Sequence, residues 1–99
     1  MIDFNQISGF DWDEASRDKN WMHHQVTWVE CEEIFFNVPL LLKPDVSHSI
    51  SETRFMVLGR TNAGRHLFLV FAVRSEKIRV ISARNMINKE RAVYEKENP

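Results

Sequence analysis

Apolar and polar residues alternate loosely from Ile2 to Ile7 and stop at Ser8 and Gly9, a pattern that predicts a short strand. Asp11 or Asp13 then caps a helix running to about Met22, with Asp13 and Glu14 in the first turn, where the positive end of the helix dipole favours carboxylates. The apolar members of that helix, Trp12, Ala15 and Met22, are sparse. A second helix is marked more firmly. Thr27 and Glu30 stand at capping-box spacing directly before an apolar stripe of Trp28, Cys31, Ile34 and Phe35, and Pro39 ends it.

From Leu40 onward the period shortens to that of strands. Pro39 to Lys43 is brief and closed by Pro44, which suits a sheet edge or a bend. Pro44 to Thr53, with Asp45, His48, Ser49, Ser51 and Glu52, is polar and reads as an ordered loop. Arg54 to Arg60 alternates, and Asn62 and Gly64 within Thr61 to Arg65 suit a tight hairpin in which one residue needs positive φ. His66 to Val73 is continuously apolar, as a central strand is. A turn at Ser75 and Glu76 leads to a strand from Lys77 through Ala83, and a last helix spans about Met86 to Glu95. Two helices, a four-stranded meander and a terminal helix predict one α+β domain over residues 1–99, with helices packed on an antiparallel sheet.

Charge divides the chain in two. Met1 to Glu52 carries ten carboxylates against three cations, net −7, whereas Thr53 to Tyr94 carries nine cations against two carboxylates, net +7. Seven of those nine cations are Arg, whose planar fork grips phosphate where ammonium offers a point charge. Such asymmetry points to a polyanion-binding surface on the C-terminal meander. The apolar share of 43% is that of a folded chain, and the lone Cys31 suits a reducing, cytoplasmic setting. No signal peptide or membrane span is expected, because the longest apolar run, Leu67 to Val73, is far shorter than the ~20 residues a spanning helix needs. His23 and His24 are helix neighbours that do not face one another, so neither a metal site nor a cofactor is expected.

The run Phe10-Asp11-Trp12-Asp13-Glu14-Ala15, with Asn20 and His24 after it, resembles the opening of the BrnT family of type II toxins. Glu33-Ile34-Phe35-Phe36, Asp45 with His48-Ser49, Glu52 with Arg54, Gly59-Arg60, Gly64-Arg65, Leu67 to Phe71, Ile78 to Arg84, Glu90-Arg91 and Tyr94 extend the likeness along most of the chain. The resemblance implies a RelE-like ribonuclease fold and cleavage of RNA that stalls translation. It also implies neutralisation by a cognate BrnA-like antitoxin encoded beside the toxin, an antitoxin-mediated dimer or heterotetramer, and repression of the shared operon. Departures fall at His23-His24-Gln25, where the family generally has Lys-His-Gly, and at Asn85, where it has a further basic residue. Gly is the usual helix-ending residue, so the first helix is expected to end differently here.

Metal-free cleavage of RNA needs a base for the 2′-OH, a donor for the leaving 5′-oxygen and cations around the phosphorane. Arg65, Arg79 and Arg84 are the candidate phosphate and transition-state ligands, Glu52 and His48 the proton-handling pair, and Arg54, Arg60 and Arg74 the RNA-binding residues. Parity limits the set: Arg54 and Arg60 share a strand face yet stand ~20 Å apart, and Arg84 takes the parity opposite to Arg79 unless the strand is irregular. Structural readings compete with each assignment. Glu52 with Arg54 also suits a surface ion pair, His48 a loop hydrogen bond, Arg79 and Arg84 an antitoxin contact, and Trp12 and Trp28 core packing. Trp21 is the tryptophan expected at the surface, and the charges of the last helix are expected to form a solvated face. Two functions therefore stand: a metal-independent endoribonuclease, or a non-catalytic module that binds nucleic acid or antitoxin.

Overall fold

The computed structural model describes residues 3–46 and 52–97, without the side chains at positions 16 and 20–23. A five-stranded sheet in the order β1-β5-β4-β3-β2 forms the centre of the molecule. Its strands are β1 (Gly9–Phe10), β2 (Leu41–Pro44), β3 (Arg54–Arg60), β4 (His66–Arg74) and β5 (Lys77–Asn85). β2 to β5 make the expected antiparallel meander, with Arg54 opposite Ala72 and Arg60 opposite His66. β2 lies at the edge. Asp45 N–H donates to Arg54 O at 2.9 Å, so by alternation Pro44 turns its backbone away from β3, where its missing N–H costs no ladder bond.

The strand expected over Ile2 to Ile7 is absent among the described residues of that stretch. Phe4–Gln6 forms a 3-10 turn instead, started by Asp3, whose carboxylate accepts the Asn5 N–H at 3.0 Å. This local hydrogen bond wins over a weak alternation. Strand pairing begins only at Gly9, and it is parallel, with Gly9 opposite Lys77 and Phe10 opposite Ile78.

Among the described residues the α-helices are α1 (Glu14–His24), α2 (Trp28–Glu33) and α3 (Asn88–Lys96). The capping box of α2 forms as read, with Thr27 Oγ1 accepting the Glu30 N–H at 3.1 Å and Glu30 accepting the Thr27 N–H at 3.0 Å. α2 stops short of Pro39 by tightening into a 3-10 turn at Ile34–Phe36, which lowers Ile34 onto the sheet. Gly59 makes that approach feasible, since a Cβ there would lie 2.9 Å from Ile34 Cβ. α1 ends in an unusual way, because Gln25 adopts φ +55°, the left-handed conformation that glycine ordinarily supplies.

Val26, Cys31 and Ile34 bury themselves against Phe55, Val57, Leu67, Leu69, Phe71, Ile78 and Val80 on the inner sheet face. Phe71 is the hub, edge-on to Phe35 at 5.2 Å and stacked on Phe55 at 5.5 Å. Each large apolar side chain so buried contributes about 1.5–3 kcal/mol, more than a surface ion pair, so this layer sets the fold. Burial pushes the Cys31 thiol up to about 12, with Glu30 and Glu32 adding to the effect, which leaves it a neutral core residue. Of the tryptophans placed in the core from sequence, Trp12 is half-buried and donates Nε1–H to Glu32 at 2.8 Å. Trp28 is exposed, with the Arg17 guanidinium 4.8 Å from its ring centroid. The side chain of Trp21 lies outside the described part of the molecule.

α3 covers one end of the outer sheet face. Tyr94 is fully buried there, donating its hydroxyl to Pro39 O at 2.7 Å and packing edge-on to His66 at 5.3 Å. α1 packs against β5, where Lys19 Nζ donates to Ile81 O at 3.3 Å.

Candidate nucleic-acid site

A bulge in β5 decides which arginines share a face. Val70 pairs with Ser82 and Phe71 with Val80, which leaves Ile81 without a partner in β4. Inward-facing Ile78, Val80 and Ala83 show the change of parity directly. Arg79 and Arg84, five positions apart, consequently both leave the outer face, opposite Ala72 and Phe68. That four-residue offset on β4 still separates them by ~13 Å, too far for one phosphate.

At the end of the outer face away from α3, Glu52 holds two guanidiniums and a third lies beside them. Its carboxylate accepts Arg74 Nε–H at 2.6 Å and lies 3.9 Å from Arg54 Nε. Arg79 is held alongside by Asp11 at 3.5 Å and Asp13 at 3.2 Å. Glu52, Arg54, Arg74 and Arg79 line a cleft of about 330 Å³ together with Asp13 and Lys19. The Arg74 hydrogen bond, opposed by partial burial and reinforced by the charges of Arg74, Arg54 and Arg79, holds the Glu52 carboxyl below its ordinary value. Glu52 is therefore ionised near neutral pH and a weak base, better suited to aligning guanidiniums than to taking a proton.

Arg65 and Arg84 occupy the opposite end, and the structure does not bring them to Glu52. Arg65 donates to Gln25 O at 2.9 Å, to His24 O at 3.3 Å, to both Glu30 oxygens at 3.2 Å and to Asn85 Oδ1 at 2.8 Å. It thereby caps the carbonyl end of α1 and ties it to the capping box of α2. Arg84 forks onto Glu90 at 2.8 and 3.0 Å, with its guanidinium 4.1 Å from the Phe68 ring centroid. Glu90 in turn accepts the Ile87 N–H at 2.9 Å, anchoring the start of α3. For Glu30, burial pushes the carboxyl up, but hydrogen bonds from Thr27 and Arg65 outweigh it and leave the group below its ordinary value. The Arg84 hydrogen bond does the same for Glu90 against partial burial.

Arg60 ends β3 opposite His66, beside α3, so it too is apart from Glu52. His48 lies outside the described residues. Sequence reading missed Asp11, Asp13 and Lys19 as cleft residues, and it placed Glu90 on a solvated face. Glu30 was visible as a capping residue but not as the partner of Arg65. Among the described residues no group of three or more His, Cys, Asp or Glu is placed to hold a metal ion. No helix among them is long and apolar enough to cross a membrane.

This α+β fold is shared with a solved ribonuclease toxin. The crystal structure of the Brucella abortus ribonuclease toxin BrnT matches with a TM-score of 0.60, covering 81% of this chain and 97% of that one, at 24% identity. The family model for the ribonuclease toxin BrnT of type II toxin–antitoxin systems matches residues 12–90, and the chain belongs to that family. It is thus a ribonuclease toxin whose partner is an antitoxin. No curated protein sequence matches the chain.

Proposed function

We propose that the protein cleaves RNA in the Glu52–Arg54–Arg74–Arg79 cleft without a metal ion, inhibiting translation in the cytoplasm until a BrnA-like antitoxin covers it. The observation that carries this reading is the gathering of Arg54, Arg74 and Arg79 in one cleft with the ionised Glu52, at the end of the outer sheet face away from α3. In the reaction the 2′-oxygen attacks the adjacent phosphorus while the bond to the 5′-oxygen breaks, giving a cyclic phosphate and a free 5′-hydroxyl. One proton leaves the 2′-OH and one reaches the 5′-oxygen. Arg79 and Arg54 neutralise the charge that builds on the phosphorane, and Arg74 is fixed by Glu52. The carboxylates of Asp11 and Asp13 occupy Arg79 in the free protein, and a phosphate of the substrate takes their place. His48, four positions before Glu52, is the proton-handling candidate. Arg65 and Arg84 serve the helix ends that hold this arrangement, and Arg60 contributes charge farther along the RNA path.

Antitoxin-free protein incubated with RNA in excess chelator should yield fragments ending in a cyclic phosphate and a 5′-hydroxyl. Cleavage only when magnesium is restored would reject metal independence. Intact RNA under both conditions would leave the non-catalytic binding module.

A further inference from the structure

A groove of about 370 Å³ runs between α3 and the outer face of β2 and β3, floored by Leu41, Met56 and Leu58 and walled by Ile87 and Val93. Ile87 is 55% and Val93 51% exposed, although both border an apolar surface. Exposed Lys43 and Lys89 also line it and among the described residues neither meets a carboxylate, while the carboxylate of Glu90, which lines it too, is already taken by Arg84 at 2.8 and 3.0 Å. Resting on the family's antitoxin partner, we infer that the antitoxin seats a segment here, with apolar side chains in the groove and carboxylates on Lys43 and Lys89.

Charge and topology select this occupant. A second copy related by two-fold symmetry would bring only the same patch, whose one carboxylate, Glu90, is already held by Arg84, and RNA would find few cations among the apolar walls. An acidic, apolar peptide satisfies both the floor and the rim. The groove also adjoins the cleft: Arg54, Met56 and Leu58 follow one another at two-residue steps on the outer face of β3, so the floor begins ~7 Å from Arg54. An antitoxin segment anchored in the groove needs only a few further residues to pass over Arg54 and close the cleft to RNA.

The test is calorimetric titration of purified, full-length antitoxin, produced from the reading frame beside the toxin's, into toxin variants. Ile87→Glu and Val93→Glu should each weaken binding about ten-fold or more, as truncating a central anchor does. The Lys43→Glu/Lys89→Glu double variant should also bind more weakly, whereas Lys77→Glu at the other end of the sheet should bind as the parent does. Thermal melts check that the variants fold, and their cleavage of RNA without antitoxin should be unchanged, a readout that tests the ribonuclease reading separately. Parental affinity in the groove variants would overturn the proposal. So would loss of toxin self-association in sedimentation with antitoxin affinity intact, which would make the groove a contact between copies.

Discussion

The two ends of the outer sheet face use the same ion-pair chemistry to opposite effect. At one end, Arg65 and Arg84 each meet the carboxylate at the start of a helix, and further donors go to backbone carbonyls or Asn85. Both are tied into the fold. At the far end, Arg54, Arg74 and Arg79 share a cleft, and the carboxylates of Asp11 and Asp13 that hold Arg79 are exposed. All of these carboxylates stand at or near helix starts, so the difference lies in exposure: Glu30 and Glu90 are partly buried and also accept a backbone N–H, which makes Arg65 and Arg84 part of the fold, whereas Asp11 and Asp13 hold Arg79 at the surface. Residue type alone does not separate the two cases.

The largest expected contrast is in activity. Arg79→Ala should lower the RNA cleavage rate about 10²–10³-fold, as loss of a transition-state donor does, with little change in melting temperature. Arg65→Ala should do the reverse. It removes bonds to a charged carboxylate and to the last carbonyls of α1, and should cost about 1–3 kcal/mol in urea unfolding while folded molecules keep cutting RNA.

Acid should weaken both ends, since Glu52 too is held below its ordinary value, and substitution separates the share of the helix starts. Glu30 and Glu90 are held below their ordinary values in the folded chain, so their contribution is complete above the unfolded carboxylate pKa of about 4.3 and is lost as pH falls through the lower folded values. Urea midpoints measured downward from pH 5 should fall, and Glu30→Gln should flatten that descent. The smallest effect is at the turn after α1. Gln25→Gly should stabilise by about 1 kcal/mol, because glycine meets no Cβ penalty at φ +55°, and Arg65 keeps the carbonyl it binds.

Most of the fold was legible in the chain. Thr27 and Glu30 announced α2 because a capping box is local, β3 was visible because its period of two reflects one buried face, and β4 because a central strand is apolar throughout. β1 was not, since two residues pairing in parallel with β5 leave no periodic trace. The candidate site was legible in part: Glu52, Arg54, Arg74 and Arg79 were all named, but grouped with Arg65 and Arg84. Arg84 reaches the outer face only through the bulge at Ile81, and Arg65 turns to Glu30 across 35 positions of sequence. Neither relation has a local signature, and Asp11 and Asp13 looked like ordinary helix-start carboxylates. Gln25 shows the converse, where the missing glycine was noticed and the backbone took the left-handed form regardless.

The most direct measurement is RNA cleavage in chelator, normalised to folded protein, by two double variants, Arg54→Ala/Arg79→Ala and Arg65→Ala/Arg84→Ala. Loss of cleavage in the first with retention in the second is the expected result. Retained cleavage in the first, or its loss in folded molecules of the second, would place the chemistry at the other end of the sheet.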